Sequence, residues 1–132
     1  MGGSFTTYRG NSRASIARVN SDGSNDGGFD PGTGFNGTVW SIVPATDGSG
    51  DIIVGGDFSD YNGTARNNIA RINSDGSLDT EFDPGLGFNF RVRSIAAATD
   101  GSGDLYVGGS FTTYKSGTAN RIIRLDSNGN AN

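Results

Sequence analysis

Cysteine and histidine are both missing from the 132 residues, and tryptophan and methionine occur once each. Without thiols there is no disulfide framework and no thiolate metal site, and redox chemistry leaves the compartment open. Without imidazole as well, the usual base-activated nucleophile pairs have no members, and the remaining paired carboxylates lie in turn-like segments, so the chain is read as a non-enzyme. Hydrophobic residues reach only 33%, and no apolar run approaches membrane-spanning length. A dominant charge sign is also lacking. The 14 acidic and 10 basic residues leave a net charge of -4 without a long run of either, so neither a nucleic-acid partner nor membrane insertion is expected. Helix signals are absent too: Ala, Leu, Glu and Lys never cluster, and no stretch carries a three-to-four apolar period.

What is abundant is glycine, 23 residues against roughly 7% in average usage. Its placement reveals a repeat. DIIVGGDFSDY at Asp51 to Tyr61 returns as DLYVGGSFTTY at Asp104 to Tyr114, and GGSFTTY at Gly2 to Tyr8 is its tail. Gly2, Gly55 and Gly108 stand 53 residues apart, and 33 of the 53 positions from Gly2 to Val54 are identical to their counterparts from Gly55 to Val107. A period of that size points to propeller blades or stacked arrays.

Each repeat reads as four short strands. Val39 to Ala45 is expected to alternate, with Val39, Ser41 and Val43 on one face and Trp40 and Ile42 on the other. The turn TDGSGD, Thr46 to Asp51 and again Thr99 to Asp104, supplies the positive backbone angles of a tight hairpin. Asp51 to Phe58 follows, and its Gly55–Gly56 doublet implies another backbone or a large ring packed close against it. After a polar loop at Asp60 to Arg66 comes Asn68 to Asn73, matching Ile16 to Asn20 and Ile122 to Asp126. The turn Ser74-Asp75-Gly76-Ser77 leads to Leu78 to Phe82, a short edge strand that Asp83-Pro84-Gly85 breaks. The fold class is therefore all-β, with four-stranded antiparallel propeller blades. They divide as residues 1–38 (second to fourth strands of a blade), 39–91 (a complete blade) and 92–132 (first to third strands).

DGSGDLYVGGSF followed by IIRLDSNG resembles a kelch-type blade, and the fuller pattern GG-x-F-x-x-Y, IAR-x-NSDGS-x-D, F-DPG-x-GF more closely resembles the bacterial delta-60 repeats. That resemblance covers essentially the whole chain. It implies a propeller in a large exported or cell-surface bacterial protein and no shared catalytic site. No leader-like segment precedes the repeat, so any leader is expected to have been removed or to have lain in a longer parent.

About two and a half units are too few for a closed ring, since propellers use at least four blades. Incomplete terminal blades with unpaired edges and unmet apolar faces are expected to self-associate; two chains of three partly built blades would make a six-bladed homodimeric ring. A fragment of a longer propeller is the alternative.

Four carboxylates are the candidates for a metal. Asp22 and Asp26, and their repeats Asp75 and Asp79, alternate with other oxygen-bearing residues as in calcium loops. Their glycine is misplaced for such a loop and no bidentate Glu closes it, so Asx turns explain the same letters. Gly32-Thr-Gly34-Phe-Asn-Gly37 spells a dinucleotide fingerprint, but a strand follows it where a helix is required. Arg18, Arg71 and Arg124 recur at one phase and are read as Arg–Asp links between strands. Binding residues are expected where the units differ: Trp40 against Arg93, Ile53 against Tyr106, Gly37-Thr38 against Phe90-Arg91. A core role beside the glycines is the other reading of Trp40 and Tyr106. The ligand expected of such a scaffold is a protein or a glycan, its identity is not written in the sequence, and a lectin would show similar sites in each blade.

Overall fold

The computed structural model describes residues 1–132 and contains strands but no helix. The strands are β1 (Thr7–Tyr8), β2 (Asn11–Ser12), β3 (Thr38–Pro44), β4 (Ile52–Asp57), β5 (Asp60–Tyr61) and β6 (Thr64–Ala65), then β7 (Ile69–Ile72), β8 (Val92–Ala97), β9 (Leu105–Gly109), β10 (Thr113–Tyr114), β11 (Gly117–Thr118) and β12 (Ile122–Leu125). Two three-stranded antiparallel sheets, β3-β4-β7 and β8-β9-β12, form the second and third blades. The first blade is held by single bridges, Gly2 to Ile16 and Val19 to Asn25. This is a β-propeller architecture.

Two details differ from the expected plan. The fourth strand shrinks to one bridge per unit, Ile72 with Leu78 and Leu125 with Ala131, because Asp79 turns its carboxylate back onto the amides of Glu81 and Phe82. The loop at Asp60 to Arg66 is instead a two-residue hairpin, β5 with β6, closed at Asn62-Gly63 where both residues take positive φ.

The alternation in the first strand also changes. Val39 pairs with Gly56 but Ser41 pairs with Gly55, leaving Trp40 as the extra residue of a bulge; Arg93 is its counterpart between Val92 and Ser94. A bulge adds one residue and reverses the pleat beyond it. Val39 and Ile42 therefore share a face, and Val92 and Ile95 likewise.

That shared face explains the stacking. A Cβ placed on Gly55 would lie 2.5 Å from Val92 Cγ1 and 2.9 Å from Ile95 Cδ1, and Gly2 meets Val39 and Ile42 in the same way. The close neighbour of this glycine is thus an aliphatic pair from the next blade, not a ring. Its companion Gly56 is pressed against the backbone oxygen of Thr38, which accounts for the doublet. Around these sockets run two apolar clusters, one built on Phe35, Phe58, Tyr61 and Val54, the other on Phe88, Phe111, Tyr114 and Val107. Burying side chains of this size contributes about 1.5–3 kcal/mol each.

Candidate functional site

Each unit carries a tyrosine whose hydroxyl donates to the glycine carbonyl of its SDGS or SNG turn: Tyr8 to Gly23 at 2.8 Å, Tyr61 to Gly76 at 2.5 Å, Tyr114 to Gly129 at 2.5 Å. Repetition of one contact in every unit marks it as framework. Burial pushes the Tyr61 and Tyr114 phenols up, and the nearby carboxylates, Asp30 and Asp75 for Tyr61, add to it.

The turn carboxylates are engaged locally. Asp22 accepts from the amide and hydroxyl of Ser24, and Asp75 does the same with Ser77, which lowers both acids. Asp26 lies 2.7 Å from Arg18 Nε, and Asp79 lies 3.0 Å from Arg71 Nε. In the second blade Arg71 also meets Asp47 at 2.6 Å and Asp51 at 2.8 Å, so the guanidinium is itself the cation of that acidic cluster. Its counterpart Arg124 joins Asp100 and Asp104. The Arg–Asp links are present in all three units, and they reach back to the first hairpin turn as well as forward.

Uneven repetition is more informative. Ile16 is 1% exposed and Ile69 is 0% exposed, both covered by the first strand of the following blade, whereas Ile122 is 66% exposed. Beside it, a Cβ on Gly108 would find nothing closer than the carbonyl oxygens of Arg121 and Ser94 at 3.8 and 3.9 Å. The third blade thus presents an open copy of a socket that is filled twice elsewhere. Tyr106 stands on this face, exposed, with Arg124 donating to its hydroxyl at 3.1 Å and lying 5.4 Å over its ring. Tyr106 and Trp40 are therefore surface residues and do not fill space within the core, because nothing packs over the third blade's face and the bulge turns Trp40 outward.

A second feature lies where the connector between the blades crosses back to a first strand. A groove of about 470 Å³ is lined by Asp57, Ser59, Asn67, Asn68, Leu86 and Phe90, with Asn36, Phe58, Phe88 and Asn89 beneath. A similar groove of about 390 Å³ occupies the same place one unit earlier, lined by Phe5, Ser15, Phe35 and Gly37. Asn36 builds its edge: the side-chain oxygen accepts the amides of Ser59 and Asp60, both at 3.0 Å. Asn68 holds a positive φ of 68°, as Ser15 and Arg121 do at the matching positions, so that backbone shape belongs to every unit. Of the residues singled out where units differ, Phe90 lines the groove, Arg91 stacks on it with Cζ 5.1 Å from the ring centroid, and Trp40 and Arg93 line neither groove. Asn67 and Asn68 carry no ligand signal in the sequence, where Asn68 reads as the first residue of the third strand and Asn67 as its approach.

A family model described as a domain of unknown function (DUF5122) beta-propeller matches residues 1–29, 47–82 and 99–132, one stretch in each unit and together most of the chain. No curated protein and no solved structure matches it.

Proposed function

Because the chain belongs to the DUF5122 beta-propeller family, we propose that it is a non-catalytic propeller scaffold that works by assembly and interaction, its module being the delta-60 repeat of exported bacterial proteins. The observation that carries the assembly is the open socket at Gly108 beside the uncovered Ile122. Both filled sockets in the same chain take an aliphatic pair spaced three residues apart, Val39 with Ile42 and Val92 with Ile95. The free blade of a second copy begins at its second strand and brings no pair of that kind, so in an assembly its Met1 flank would cover Gly108 and Ile122. The opposite flank of the stack leaves Met1 exposed and Val19 half-buried, so each copy has one forward and one backward face to satisfy. Two copies that cover each other's forward faces close a ring by a twofold axis, and a contact that fails to close propagates. The non-catalytic reading is supported by the engagement of the turn carboxylates with their own loops and arginines.

Sedimentation velocity over a range of concentrations tests this. The expected result is a concentration-dependent species of at least twice 13.6 kDa. Gly108→Val places its Cβ no closer than 3.8 Å to any atom of the single chain, and is expected to return the protein to monomer with the melting temperature of the dilute chain preserved. A wild-type chain that stays at 13.6 kDa at every concentration rejects the assembly.

A further inference from the structure

We infer that the groove between the second and third blades binds a neutral saccharide, through Phe90, Asp57, Asn67 and Asn68, independently of any assembly. Its volume of about 470 Å³ suits a small ligand, for which pockets run from about 300 to 1,000 Å³.

Its hydrogen-bonding capacity is mixed. Asn67 gives one amide hydrogen to the Leu86 carbonyl at 3.0 Å and Asn68 gives one to the Phe88 carbonyl at 2.9 Å, so each carboxamide keeps a second N–H as well as its oxygen. The side-chain oxygens of both face no donor within the protein. The Asp57 carboxylate is half exposed, and its one charged neighbour is Arg91 Nη2 at 3.5 Å, too long for a strong hydrogen bond. Beside these acceptors the wall offers donors, the Ser59 hydroxyl and the second amide hydrogens of Asn67 and Asn68. Such a site suits a ligand whose groups both donate and accept, and a polyhydroxylated ring is one. An anion is disfavoured because the Asp57 carboxylate lines the groove and the cation beside it, Arg91, is already paired with that carboxylate.

Phe90 supplies the apolar half. It is 51% exposed, and one side of its ring is taken by Arg91, which leaves aromatic surface beside Leu86 for the C–H face of a pyranose. In the preceding groove the matching residues are Gly37 and Thr38, so that groove has neither platform nor guanidinium and one saccharide per chain is expected.

The test is a titration of the intact chain, followed by amide NMR, with glucose, galactose, mannose, N-acetylglucosamine, maltose and cellobiose, alongside trialanine and inorganic phosphate. At least one sugar should saturate with Kd near 1 mM and shift the amides of Asn67, Asn68 and Phe90, a range expected of a shallow open site. Phe90→Gly should weaken it roughly fivefold, Phe90→Tyr should retain it, and Asp57→Asn should weaken it about tenfold. Trp40→Ala should leave it unchanged. The inference is overturned if no sugar in the panel saturates, if trialanine or phosphate binds as tightly, or if Phe90→Gly binds sugar as well as the wild type.

Discussion

Arg71 and Asp51 face each other from β7 and the start of β4, with Nη2 2.8 Å from Oδ2, and each side chain keeps only 11% of its surface exposed. Around them Asp47 and Asp79 complete a cluster of three carboxylates on one guanidinium. Removing the cation leaves the largely buried carboxylates of Asp51 and Asp79 facing each other, with Asp47 at the solvent edge, which costs more than the pair itself contributes. Arg71→Met is expected to destabilise the fold by roughly 3 kcal/mol in urea unfolding. Arg124→Met, at a site three times as exposed to solvent, should cost distinctly less, and equal losses would contradict the account.

The two glycines Gly55 and Gly108 occupy the same place in their units and should respond differently to the same change. Gly55→Ala drives a methyl into Val92 and Ile95, and overpacking of that kind costs about 1–3 kcal/mol. Gly108→Ala meets no atom closer than 3.8 Å and should stay within about 0.5 kcal/mol of the wild type. Thermal unfolding of the two variants at low concentration, where the chain is dilute, checks this.

Acid should weaken the fold through Asp47 and Asp100. The hydroxyl and amide of Ser49 and then Arg71 hold Asp47 well below the usual carboxylate range, and Ser102 and then Arg124 do so for Asp100. A depressed folded value means the stabilisation is present above the unfolded value of 3.8 and is lost as pH falls below it toward the folded one. The melting temperature should therefore be level from pH 7 down to about 5 and fall steadily below about 4. Asp100→Asn should lower it at neutral pH and flatten the acid limb.

Alkali should act through the tyrosines with the opposite sign. Burial first, and neighbouring carboxylates second, raise Tyr61 and Tyr114 above the ordinary value of 10.0. Stabilisation from a raised group is complete below the unfolded value and is lost as pH climbs through it toward the folded one. The melting temperature should fall above about pH 10. Tyr61→Phe removes the donor to Gly76, costing about 1 kcal/mol at neutral pH, and should make the alkaline fall shallower. An alkaline limb as steep as that of the wild type would refute the assignment.

The 53-residue period, the turns at Thr46 to Asp51 and Ser74 to Ser77, the absence of helix and the Arg–Asp links are legible in the letters, because each rests on local turn chemistry or on comparison of one unit with the next, whereas the hairpin at Asp60 to Arg66 reads as a loop. The faces of the first strand were misread for a specific reason. Trp40 and Arg93 are bulged, and nothing in VWSIV or VRSIA distinguishes a bulge from plain alternation. The fourth strand was overextended, since Asp79 spends its carboxylate on the following amides where sequence periodicity suggested a ladder.

From its residues alone the chain specified a glycine-punctuated, strand-rich module repeated in fixed phase, since turns and periods are short-range properties. Tertiary structure decided that Val92 and Ile95 enter the space above Gly55 while the space above Gly108 stays open, and that Asn67 and Asn68 line a groove beside Phe90. Those outcomes depend on which surfaces meet across blades some 53 residues apart, and no local pattern encodes which neighbour will be there.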